Sequence, residues 1–148
     1  MKNFKSLTIW TIILDFSIIV GAGHGVACIG LLEIFHIIGI VTGHRINDDY
    51  LSLSLTASYD KSLGAVALFS LIGQILLTIS FFIKGQEHFW TKLLGLFFLW
   101  TGFYYLTHNI FDDALSQVGF FVGVPFLISS GLLAYKMTKE RLRVLDTE

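Results

Sequence analysis

The sequence predicts an all-α integral membrane protein, a bundle of about four transmembrane helices with both termini cytoplasmic. Three observations predict it: the share of apolar residues, four apolar runs of bilayer length, and an uneven distribution of basic residues. Of 148 residues, 54% are hydrophobic and only 14% are charged, where soluble domains carry roughly 25% charged residues. A chain of this size folded in water keeps much of its surface exposed and here lacks the polar side chains to cover it. A bilayer accepts that surface. The formal net charge of −1 argues against a general nucleic-acid binder, which needs a basic face to displace phosphate counterions.

The bilayer core needs about 20 apolar residues per helix. The first run covers residues 7–28 and stays apolar to 41, interrupted by Asp15, His24, Glu33 and His36. It is too long for one simple crossing. Either it projects beyond the membrane, or it breaks near Gly21-Ala22-Gly23-His24-Gly25 and continues as an interfacial or re-entrant piece. It also outlasts a secretory h-region of roughly 7–15 residues and lacks a small-residue cleavage site, so it reads as a retained helix. Further helices are expected over 62–83, 89–106 and 118–137, with a polar outer loop over 42–61, all within one domain. Cys28 is the single cysteine, which excludes a disulfide framework and a Cys-based zinc site. Its apolar neighbours make it a small buried packing residue.

Orientation follows from the basic residues. With the N-terminus inside, Lys2, Lys5, Lys84, Lys92, Lys136, Lys139, Arg141 and Arg143 are cytoplasmic, and only Arg45 and Lys61 lie outside. The positive-inside bias therefore places both termini in the cytoplasm. Trp10, Trp90, Tyr50 and Tyr135 fall near segment ends, where interfacial aromatics belong.

Ionisable groups in hydrocarbon are costly, and each asks for a partner or a function. Counting depth at 1.5 Å per residue sorts them into two layers. In the inner half of the membrane, Asp15 and Gln74 fall level, with Thr78, Ser129 and Ser130 nearby. Ser70, Gln74 and Thr78 share one helical face. This layer reads as a hydrogen-bonded lock between helices or as a relay for protons or cations at Asp15.

The outer layer holds His24, Glu33, His36, His108 and Asp112, with Asn109 and Asp113 close by. His108 and Asp112, four apart, are expected on one helical face, where they present imidazole and carboxylate to one ligand. Three readings compete: a solvated cluster, a transition-metal or other small-ligand site with mixed nitrogen and oxygen donors, and a haem b held between His24 and His108. On a straight helix His24 points away from Glu33, so the two meet only if the glycines break the helix. No HExxH or comparable zinc signature is present.

Gly21 and Gly25, and Gly119 and Gly123, have the four-residue spacing that lets helices approach closely in lipid, and they raise the prospect of a homo-oligomer. Pro125 is expected to bend the last helix. Nucleotide, hydrolase and kinase signatures are absent from the sequence. The functional expectation is a small polytopic membrane protein that binds an ion or small polar ligand at the outer cluster, with Asp15 as a second station for protons. The alternatives are a membrane-embedded enzyme acting on a lipid or isoprenoid, with His108 and Asp112 or Glu33 as acid and base, and an accessory subunit whose polar layers only hold helices together.

Overall fold

The computed structural model describes residues 2–22, 25–41, 59–83 and 86–145. Among them the chain forms α1 (Lys2–Phe16), β1 (Ile19–Ala22), β2 (Gly25–Cys28), α2 (Ile29–Val41), α3 (Tyr59–Ile79), α4 (Gln86–Thr107) and α5 (Ala114–Leu145). The protein is mostly helical. Two helices are long and apolar enough to cross a membrane, α3 over Lys61–Ile79 and α5 over Ala114–Arg143. The expected helix over 62–83 stops at Ile79, the one over 89–106 lies inside α4, and the one over 118–137 lies inside α5, which runs unbroken through Pro125.

The first run departs from expectation. A helix over 7–28 with an extension to 41 does not form; α1 ends at Phe16 and a short antiparallel hairpin follows within the otherwise helical fold. Ile18 N–H turns back to the Asp15 carbonyl at 3.1 Å, closing the helix with a tight turn. The β-branched Ile18, Ile19 and Val20 then favour extended backbone, and the glycines beyond them lower helix propensity further. The strands pair Ile19 with Cys28, Val20 with Ala27, Gly21 with Val26 and Ala22 with Gly25. A bond of 2.9 Å from Ile29 N–H to the Ile18 carbonyl extends the ladder. The chain therefore reverses, and α2 starts beside the end of α1. Cys28 is half-buried on β2 rather than sunk in a helix interface.

The hairpin also corrects the expected role of Gly21 and Gly25, which lie on paired strands and not on one helical face. Gly21 N–H donates to the Tyr59 hydroxyl at 3.0 Å. A methyl group at Gly21 would come within 2.7 Å of Leu115 Cδ1, so the start of α5 packs directly on β1. Gly119 and Gly123 do face a helix, but it is α4 of the same chain, through Leu106 and Phe103. That spacing is satisfied within one copy.

The tightest seam joins α3 to α4. A Cβ at Gly73 would lie 2.8 Å from the Gly95 carbonyl oxygen, and one at Gly95 would lie 3.1 Å from the Gly73 carbonyl oxygen. Gly102 closes the seam one stage further on, its Cβ position 3.3 Å from the Val66 carbonyl oxygen. The Phe69 ring stacks on Phe98 and Tyr105 alongside. Around this seam Val66, Leu77, Leu96, Leu99, Leu106, Phe126 and Leu133 form the buried core.

The two ends of the bundle differ. At one end α4 begins beside both the start of α1 and the end of α5: Lys92 Nζ lies 5.9 Å from the Phe4 ring, and the Arg141 guanidinium 4.6 Å from Phe89. His88 Nδ1 faces the Ser80 carbonyl at the same end. At the other end sit the hairpin, Tyr59 and Leu115.

A methyl at Gly73 collides with backbone, which cannot swing aside as a side chain can. Gly73→Ala is expected to destabilise by about 1–3 kcal/mol as an overpacked contact. Gly131→Ala, which meets nothing within 4 Å, is expected to be neutral or to stabilise by up to about 1 kcal/mol through helix propensity. Unfolding of the two variants in one detergent checks the contrast.

Candidate functional site

Three buried polar side chains from three helices converge in the interior. Asp15 lies in the last turn of α1, Glu33 in the second turn of α2, and Gln74 three-quarters of the way along α3. They are 1%, 3% and 9% exposed. Gln74 Nε2 donates to Asp15 Oδ2 at 2.9 Å and to Glu33 Oε1 at 2.9 Å. A carboxamide nitrogen carries two hydrogens, and here each is directed at a different carboxyl group. The two carboxyl oxygens are thus neighbours of one nitrogen.

The surroundings are incompletely satisfied. Asp15 Oδ1 and Ser70 Oγ are buried without a hydrogen-bond partner among the described residues. Ser70 lies one turn before Gln74 on α3, and its hydroxyl belongs to the environment of the Asp15 carboxyl group. Buried polar groups in folded proteins are nearly always paired, and the Ser70 hydroxyl is placed to donate to the Asp15 carboxyl group beside it.

No protein family matches the chain, and no curated protein or solved structure is similar to it. Function has to be argued from this geometry alone.

The inner layer expected from depth is partly assembled. Asp15 and Gln74 meet as their level predicted. Thr78 does not join them: its hydroxyl bonds the Gln74 carbonyl of its own helix and lies on an exposed face. Ser129 bonds Thr11 of α1 at 2.9 Å. Ser130 accepts from Trp100 Nε1 at 3.0 Å. These hydroxyls tie α5 to α1 and α4 and leave Asp15 to Gln74.

The outer layer is not assembled as expected. Glu33 belongs with Asp15 and Gln74 rather than with His108. The reason is the hairpin, which turns the chain back and returns Glu33 to the level of Asp15. The pairing of His108 with Asp112 required a helix through both, but α4 ends at Thr107. Beyond it, backbone bonds from Ile110 to Thr107 and from Asp112 and Asp113 to Asn109 fold a series of turns. His108 Nδ1 sits 2.8 Å from the Tyr105 carbonyl, and Asp112 is exposed. His24 lies outside the described residues, as does the side chain of His36, which belongs to α2. Among the described residues, no three His, Cys, Asp or Glu side chains gather to hold a metal ion. Neither the metal nor the haem b reading gains a ligand set from them.

Removing the amide leaves two buried carboxyl groups facing each other with nothing between them. A double-mutant cycle of Asp15→Asn with Gln74→Leu, followed by unfolding, is expected to give a coupling of about 0.5–1.5 kcal/mol. The same value is expected for Glu33→Gln with Gln74→Leu. Additive effects in either cycle would break the bridge.

Proposed function

We propose that the chain is a polytopic membrane protein whose Asp15–Gln74–Glu33 group takes up and releases a proton in the membrane interior. The observation that carries this reading is the double donation of Gln74 to two buried carboxyl groups. Two carboxylates separated only by a neutral amide, both out of water, repel each other strongly. One positive charge relieves that repulsion, and a proton needs no cavity beyond the oxygens themselves. The Asp15 carboxyl group, with the Ser70 hydroxyl beside it, supplies an acceptor for it. Intramembrane carboxyl groups held in this way are characteristic of proton relays.

The architecture we propose around this group has four crossings, made by α1 with the hairpin, then α3, α4 and α5. Both termini lie in the cytoplasm. The support is the end of the bundle that gathers Lys5, Lys92, Lys136, Lys139, Arg141 and Arg143, which agrees with the positive-inside bias. The bilayer itself is the surrounding partner.

An accessory subunit would use the same group only to dock α1 and α2 on α3. Proton exchange and docking make different predictions. Infrared difference spectra of the reconstituted protein, recorded across a pH step, are expected to show the carbonyl stretch of a buried carboxylic acid. Asp15→Asn and Glu33→Gln should each remove or shift it while folding is preserved. Spectra without such a band, in a protein that folds normally, would leave docking as the group's role. A cytoplasmic reporter fused after Glu148 is expected to be active, and a periplasmic one silent; the reverse outcome inverts the bundle.

A further inference from the structure

Buried hydroxyl groups on the helices of this protein follow one pattern. Thr8, Thr11, Ser62, Ser80 and Ser130 each donate to a carbonyl three or four positions back on their own helix. Ser70 departs from it. It lies in the middle of α3, wholly buried, with the Val66 carbonyl four positions back, yet its hydroxyl makes no hydrogen bond among the described residues. On the α4 side it faces Gly102, whose Cβ position is 3.1 Å from Ser70 Oγ. That neighbour offers no polar side chain. On the other side it meets the Asp15 carboxyl group, whose Oδ1 is likewise buried and open. A hydroxyl has one hydrogen to donate, and a carboxylate oxygen is a stronger acceptor than a carbonyl.

The two carboxyl groups bound by Gln74 are therefore not equivalent. Asp15 draws on two donors of α3 one turn apart, the amide at 2.9 Å on Oδ2 and the Ser70 hydroxyl beside it. Glu33 receives the amide on Oε1 at 2.9 Å, and the charge acting on it is that of Asp15. Their settings differ as well. Asp15 sits on α1, which packs against both α3 and α5. Glu33 sits on α2, where the flanking Leu31, Ile34 and Phe35 are 45%, 44% and 66% exposed. Towards this group α4 presents Gly102, and α5 presents Ser129, bonded to Thr11 one turn before Asp15. His36, the other ionisable residue of α2, has its side chain outside the described residues. Hydrogen bonds donated to a carboxylate favour its charged form, so the member with more donors is the one that stays ionised.

We propose that Ser70 is a positioning residue of this group: its hydroxyl holds Asp15 as the ionised member of the pair, and the exchangeable proton is carried by Glu33. Both carboxyl groups can accept a proton, and the donors around them decide which one keeps it. Gln74 occupies Oε1 of Glu33, so uptake forms an O–H bond at Oε2. The proton comes from water and returns to water on release, and no other bond changes. The assignment rests on the proton-exchange reading and adds to it a division of labour between the two carboxyl groups.

The test uses the full chain reconstituted in lipid, with infrared difference spectra recorded across a pH step. Glu33→Gln is expected to abolish the carbonyl band of the buried acid, and Asp15→Asn to shift it. Ser70→Ala should move the proton towards Asp15 by about tenfold, the share of one hydrogen bond to a charged group. A second carbonyl band then arises, and it disappears when Asp15→Asn is added. Ser70→Cys, similar in shape but a weak donor, is expected to match Ser70→Ala; Ser70→Thr, which keeps the hydroxyl, should match the unmodified chain. A hydroxyl that only packs the α3–α4 seam would change Tm in these variants and leave the band alone. A band lost in Asp15→Asn and kept in Glu33→Gln overturns the assignment to Glu33. Unchanged spectra in Ser70→Ala and Ser70→Cys overturn the role of Ser70. Absence of any such band from the folded, unmodified chain removes proton exchange itself, a result distinct from a band carried by the other residue.

Discussion

Gln74 has two amide hydrogens, and each is directed at a carboxyl group that arrives from a different helix. The position of every other element in the first half of the chain follows from that arrangement. Asp15 must end α1 level with Gln74, and Glu33 must return to the same level after the chain has gone on through the hairpin. Only a reversal between them meets both conditions. The hairpin supplies it, pinned by the Gly21 contact to Tyr59 at the start of α3. α3 is held in turn by its close backbone approach to α4 at Gly73 and Gly95. One side chain therefore fixes α1 and α2 on a rigid helix pair that α5 completes.

The later helices were legible because an apolar run of bilayer length has few alternatives. α3, α4 and α5 fall where the runs fall. The first run was not legible for the same reason: hydropathy counts apolar residues and does not distinguish a helix from a buried strand of Ile and Val. The glycines between Gly21 and Gly25 announced a break, but not that the flanking residues would pair as strands. Asp15 and Gln74 could be matched by depth because each sits in or near the end of a regular helix. Glu33 could not. On a straight helix it lies eighteen residues from Asp15, about 27 Å away, whereas the folded chain places both on one nitrogen.

The outer cluster shows the opposite error. His108 and Asp112 looked paired only if α4 continued past Thr107, and no residue there forbids that. What replaces it is a set of local turns: the Asn109 carbonyl accepts the backbone N–H groups of both Asp112 and Asp113, and Asp113 Oδ1 accepts from Leu115 N–H at 3.2 Å as α5 begins. Spacing rules such as i, i+4 hold inside a helix and lapse at its end. The α3–α4 seam went unnoticed because Gly73, Gly95 and Gly102 form no four-residue repeat on one helix. Their pattern exists only between two helices.

If the helices cross a bilayer as proposed, the hairpin has a consequence for the lipid around it. A two-stranded ribbon has two edges, and backbone N–H and C=O groups left open on an edge find no partner in hydrocarbon. Val20 of β1 is fully buried, but Ile19 of the same strand is 40% exposed and Val26 on β2 is 76% exposed. On the four-crossing reading proposed above, such an open edge belongs where the nonpolar slab ends. α1 spans 15 residues, about 22 Å at 1.5 Å per residue, against a slab of about 30 Å. On the same four-crossing reading, the bilayer on that flank is drawn thin, at a cost of fractions of a kcal/mol per Å, and the Asp15 carboxyl group one turn below the strands gains a shorter path to water than the sequence would suggest.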